Sequence, residues 1–127
     1  MMATARELSP EDLLRYRDAA RRRHQSERQA LAAREQRAWA LARRAAAELR
    51  RQFHVDRVAV FGSLVHPGCF TAWSDVDIAV WDLRPEDTLR AIGMAADLDS
   101  EIAIDLIDFA TGSAALLRAI EQEGIPL

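Results

Sequence analysis

VAVFGSLVHPGCFTAWSDVDIAV, residues Val58 to Val80, is the stretch from which the architecture follows. Val58-Ala59-Val60-Phe61 is a short apolar run bounded by Gly62-Ser63, the pattern of a buried strand. A second strand opens with Ser74-Asp75-Val76-Asp77. Residues i and i+2 of a strand share a face, so Asp75 and Asp77 present two carboxylates side by side while Val76, Ile78 and Val80 point into a core. Neighbouring carboxylates repel and raise each other's pKa. A divalent cation removes that conflict, and hard oxygen ligands suit Mg²⁺. Gly62 lets the backbone approach a ligand closely, and Ser63 adds a hydroxyl donor. Phosphate and metal together point to a nucleotide. Only eleven residues, Leu64 to Ser74, separate Ser63 from Asp75. A parallel crossover needs about a dozen or more, so an antiparallel or closely looped pair is expected, with Gly62-Ser63 beside Asp75 and Asp77.

The chain has 127 residues, half of them apolar. Its size indicates one domain with enough apolar mass for a core. No apolar run approaches the length of a membrane span, and the amino terminus MMATARELSPEDLL lacks the apolar centre of a signal peptide. The single cysteine, Cys69, cannot form an internal disulfide, which fits a reducing cytoplasm, and nothing gives it a chemical role. Charge is unevenly spread. Residues 1–54 hold 13 Arg against 7 acids, and residues 55–127 hold 4 Arg against 13 acids, giving +6 and −9. The expected organisation is a basic helical arm, residues 1–54, on an acidic core, residues 55–127.

Ser9-Pro10-Glu11-Asp12 is a helix start, with a capping serine, proline at the first helical position and acids in the first turn. No Gly or Pro follows until after Gln52, and Ala and Arg dominate, which predicts a helix over about 10–52. Trp39, Ala42, Ala46, Leu49 and Phe53 follow the spacing of a buried face, so its second half should pack on the sheet. Residues 10–30 are too polar to bury fully. Arg21-Arg22-Arg23 could meet nucleic acid, although the interspersed Asp18 and Glu27 suit a solvated face or a surface for a protein partner. His24 and His54 have no companions at ligand spacing, so zinc is not expected. Glu86–Leu98 reads as a helix led by Pro85. Glu101–Asp108 reads as a third strand, with Ile102, Ile104 and Leu106 on one face. Asp105 then stands among apolar neighbours on the other face, where an unpaired charge is costly. Ser113–Glu123 reads as a last helix, stopped by Gly124 with Pro126 beyond.

Gly-Ser, then Asp-x-Asp, then a lone Asp on a following strand resembles the nucleotidyltransferase superfamily of DNA polymerase beta, and the short length resembles its minimal nucleotidyltransferase (MNT) branch, over roughly residues 56–127. The resemblance implies an α+β, two-layer fold with a small mixed or antiparallel sheet flanked by helices. It implies that Asp75, Asp77 and Asp105 hold two Mg²⁺ ions, with Asp105 near the acceptor hydroxyl, and that Gly62 and Ser63 hold the β- and γ-phosphates of ATP. Small members of the branch often act as antitoxins to HEPN ribonuclease toxins, so the resemblance also implies transfer of AMP to a tyrosine of a partner toxin encoded nearby. Two departures stand out. Eleven residues rather than the common ten separate Gly-Ser from Asp-x-Asp, and Leu64-Val65-His66-Pro67-Gly68 replaces a segment that often carries arginine. His66 is a candidate phosphate contact when protonated. The departures keep two alternatives open: an antitoxin that neutralises by binding alone, and a transferase for a small molecule or an RNA end. The polar helix 10–30 leaves both self-association and hetero-oligomer formation open.

Overall fold

The computed structural model describes residues 8–127. The absence of a signal peptide was read in part from residues 1–7, which lie outside that range. Two compact units divide the chain, one ending at Ala33 and the other covering Arg34–Leu127. A helix, α1, covers Pro10–Phe53. At its start Ser9 Oγ accepts from the Asp12 N–H (3.1 Å), the expected serine cap, and Asp12 Oδ2 accepts in return from the Ser9 N–H (3.4 Å). Among the described residues of the first unit, most are exposed, as their polarity predicts.

The second unit is built from the rest of α1 and a four-stranded sheet. Its strands are β1 (Val58–Phe61), β2 (Val76–Val80), β3 (Ile104–Asp108) and β4 (Ile125–Pro126), in the order β3-β2-β1-β4. The β1–β2 pair is antiparallel, as the short connection requires, while β2–β3 is parallel. A parallel return needs a crossover, and helix α2 (Thr88–Ala96) supplies it. Helix α3 (Ala114–Glu123) follows β3, with Ser113 Oγ accepting from the Leu116 N–H. β4 then pairs antiparallel with the free side of β1.

One face of the sheet carries Val58, Val60, Val76, Ile78, Val80 and Leu106 into the main core. There they meet Ala38, Leu41, Ala42, Ala45, Ala46, Leu49 and Phe53 of α1. The buried line on α1 thus begins at Ala38. Trp39 is only partly buried, with the Arg43 guanidinium 5.8 Å from its ring centre. The alanines bring helix and sheet close together, and an indole at position 39 fits only at the rim. The opposite face carries Phe61, Ala79 and Ile107 under Ile120, Leu116 and Leu117 of α3.

β3 starts at Ile104 rather than Glu101. Asp99 Oδ1 accepts from the Glu101 and Ile102 N–H groups (2.8 and 2.9 Å), and this turn takes up the segment that its alternation assigned to strand. β2 likewise starts at Val76, after a turn in which Ser74 Oγ accepts from the Thr71 N–H (2.9 Å). The helix ends at His54, whose N–H reaches the Arg50 carbonyl (3.2 Å) with φ +58°, a left-handed stop made without glycine.

Candidate active site

Asp77 lies at the centre of the group. In the antiparallel pair it faces Phe61, and in the parallel pair it faces Asp105. Directly paired residues share a face, so Asp77 and Asp105 stand side by side on the α3 side of the sheet. Asp75 lies just before β2, near enough for its charge to act on Asp77. Phe61 leads straight into Gly62, which adopts φ +76° and opens a 3₁₀ turn over Gly62–Val65. The turn is anchored by Leu64, which is buried in the main core. A side chain on Gly62 would run into Asp77 Oδ2. Glycine is therefore needed twice here, for its left-handed backbone and for its close approach to a carboxylate. The fold gathers Gly62, Ser63, Asp75, Asp77 and Asp105 at one end of the central strands.

The electrostatics single out Asp77. It is half-buried, and its pKa is pushed up to about 6, first by burial and then by the nearby charges of Asp105 and Asp75. Among the described residues none of the three aspartates has a basic partner. Asp87, the one charged side chain in the buried set, shows the contrast: Arg84 stands 3.3 Å away and Arg90 3.7 Å. Asp105 is exposed, so the cost of burying a charge, expected at Asp105, falls on Asp77 instead. Asp77 is flanked on both sides by strands, whereas β3 is the edge of the sheet and leaves Asp105 open to solvent.

Three carboxylates without arginine partners are the donor set that a hard divalent cation takes. Among the described residues, however, no three His, Cys, Asp or Glu side chains are gathered at metal-ligand spacing. The donor chemistry fits Mg²⁺, and the spacing is that of separated carboxylates. His66 Nε2 lies 3.2 Å from Glu123 Oε2, which gives that ring an acidic neighbour.

Sequence reasoning missed the arginines that hold this end of the molecule. Arg34 donates from Nε to the Thr71 carbonyl (3.1 Å) and from Nη2 to the Ser74 carbonyl (3.2 Å), clamping the turn just before Asp75. Arg37 bridges Asp99 (2.9 Å) and Glu101 (2.8 Å). In the sequence both are two more arginines of a basic helix, and only their pairing with loops far along the chain distinguishes them.

A mixed sheet with a Gly-Ser turn set against an Asp-x-Asp strand, and a third aspartate on the parallel neighbour, defines a nucleotidyltransferase-like α+β fold. Among solved structures, the chain is similar to a chain of the toxin–antitoxin MntA–HpeT with a tyrosine-to-alanine mutation. The identity is 26% and the TM-score 0.53, over 67% of this chain and 69% of that one. It is also similar to a chain of a toxin–antitoxin crystallised with AMP-PNP, at 26% identity and TM-score 0.51, over 65% of this chain and 69% of that one. No family model matches the chain, and no curated protein does. The resemblance to minimal nucleotidyltransferases of the antitoxin type, read from the sequence, thus holds in three dimensions. No described helix is long and apolar enough to cross a membrane.

Proposed function

We propose that this chain is a Mg²⁺-dependent nucleotidyltransferase that moves AMP from ATP to a hydroxyl, a tyrosine in our reading, of a partner HEPN-type toxin, and so serves as its antitoxin in the cytoplasm. The observation that carries the proposal is the half-buried Asp77 between Asp105 and the Gly62 turn, with acidic neighbours and no basic partner. The similarity to toxin–antitoxin chains, one of them crystallised with AMP-PNP, supports the same reading.

In this mechanism Gly62 and Ser63 offer a backbone N–H and a hydroxyl to the terminal phosphates of ATP. Asp75, Asp77 and Asp105 would hold Mg²⁺, which when bound offsets the charge of the triphosphate and of the departing pyrophosphate. Asp105, exposed at the sheet edge, takes the position beside the incoming acceptor and accepts the hydroxyl proton. The acceptor oxygen bonds to the α-phosphorus as the bond to pyrophosphate breaks. Positioning and charge neutralisation supply most of the rate in such transfers. Asp77 must be ionised to bind a cation, so its raised pKa makes metal binding weaken below about pH 6.

A second reading is an antitoxin that acts by binding alone. It is favoured by the absence, among the described residues, of three donors at ligand spacing. Cells producing the toxin encoded beside this gene separate the two. If Asp77→Ala abolishes rescue while the chain still accumulates, transfer is required; if rescue is unaffected, binding suffices.

A further inference from the structure

β3 is the outermost strand of the sheet, with β2 on one side and no strand on the other. The Val76 N–H donates to the Ala103 carbonyl (2.9 Å), so by alternation Ala103, Asp105 and Ile107 send their backbone groups toward β2, and those of Ile104 and Leu106 face outward. Among the described residues, no hydrogen bond engages the outward groups of Ile104 or Leu106. An unpaired edge of this kind is a template for another strand.

The same edge borders a cleft of about 320 Å³ between α2 and α3, whose lining includes Ile92, Leu106, Ile107, Asp108 and Leu116. Ile92 is 43% exposed and Leu89, also on α2, is 83% exposed, so apolar surface continues outward from the cleft. Asp108 is the only charged residue of the lining, and residues 55–127 as a whole carry 13 acids against 4 arginines. Asp105 stands on the same strand, about 10 Å from Asp108 at the usual rise per residue.

From these features we infer that the edge of β3 is the docking site of the acceptor: an extended segment of a partner polypeptide that adds a strand beside Ile104–Asp108. Its backbone pairs with the free groups of Ile104 and Leu106. One bulky apolar side chain fills the cleft, and a flanking arginine or lysine answers Asp108 and the net negative charge of residues 55–127. Strand addition of this sort draws affinity from the main chain and specificity from the pocket taking alternate side chains. The register carries the segment past Asp105, which is how a hydroxyl on it would reach the aspartates. That last step rests on the function proposed above; the docking does not.

The test uses the full-length chain without nucleotide or metal, against an array of six-residue peptides in which an arginine at each end flanks four varied positions. Expected is retention of peptides with a bulky apolar residue at one inner position, slowed amide exchange at Leu106, and an affinity about tenfold lower for Ile92→Glu, whose partly exposed site leaves the fold intact by circular dichroism. Binding that ignores Ile92→Glu, leaves Leu106 exchange unchanged or prefers acidic peptides overturns the inference. So does the absence of binding, or a concentration-dependent dimer closed through β3 in place of peptide. Peptide binding together with failed AMP transfer overturns the enzymatic reading and leaves the docking site standing.

Discussion

Replacing Asp77 by asparagine should make the metal-free protein more stable at neutral pH while removing its activity. The native carboxyl holds its proton up to about pH 6, whereas the unfolded chain releases it near 3.8. Between those values the native state binds more protons, so stability falls as pH rises through the window and stays lowered above it. Full enclosure would make the penalty about 3 kcal/mol. Asp77 is only partly enclosed, and screening by solvent brings this to about 1–1.5 kcal/mol. Asparagine keeps the shape without the charge, so Asp77→Asn should gain about that much at pH 7.5, or about 4–6 °C in Tm. Below pH 3.8 both states of the wild type are protonated, and the advantage should vanish. Thermal melts in EDTA at pH 7.5 and 3.5 measure both values. A variant no more stable than wild type at pH 7.5, or one with the same gain at pH 3.5, would refute the reasoning.

Mg²⁺ at about a hundred times its dissociation constant should raise wild-type stability by about 2.7 kcal/mol and leave Asp77→Asn unchanged, as read by melts with and without the ion. Gly62→Ala should cost about 1–3 kcal/mol in urea denaturation, since it combines φ +76° with a collision at Asp77 Oδ2, and should also abolish ATP binding by calorimetry. Arg34→Ala, which frees the Thr71 and Ser74 carbonyls in front of Asp75, should cost about 1–2 kcal/mol on the same assay. Leu49→Ala, at a fully buried position between helix and sheet, should cost about 2–5 kcal/mol.

The elements with strong local signals were legible in the sequence. Val58–Phe61 is the strand its apolar run indicates, Ser9-Pro10 starts the long helix, and Ser113 and Gly124 bound the last one. The length of the connection pointed to an antiparallel or closely looped pairing of β1 and β2, and the pair is antiparallel. What stayed hidden depends on neighbours rather than on local pattern. β4 is two residues long and contains Pro126, too little for any periodicity to mark. The parallel placement of β3 against β2 decides which aspartate is enclosed, and nothing within either strand reveals it, so the desolvation expected at Asp105 belongs to Asp77. Asp87 is buried because Arg84 and Arg90 close over it, and in the sequence it looks like an ordinary first-turn acid. The clamp by Arg34 joins residues 37 and 40 positions apart. Convergence of the site was thus readable as a motif, while its electrostatics required the sheet order.

The central claim is that the aspartates gathered beside Gly62 move a nucleotide onto a partner. Incubation of the chain and the toxin encoded beside it with Mg²⁺ and ATP labelled either at the α- or at the γ-phosphate tests this directly. The account predicts that the toxin acquires α-label but no γ-label, and that Asp75→Asn, Asp77→Asn and Asp105→Asn each abolish the transfer. An unlabelled toxin with wild-type chain present, or label that persists in all three variants, would contradict it.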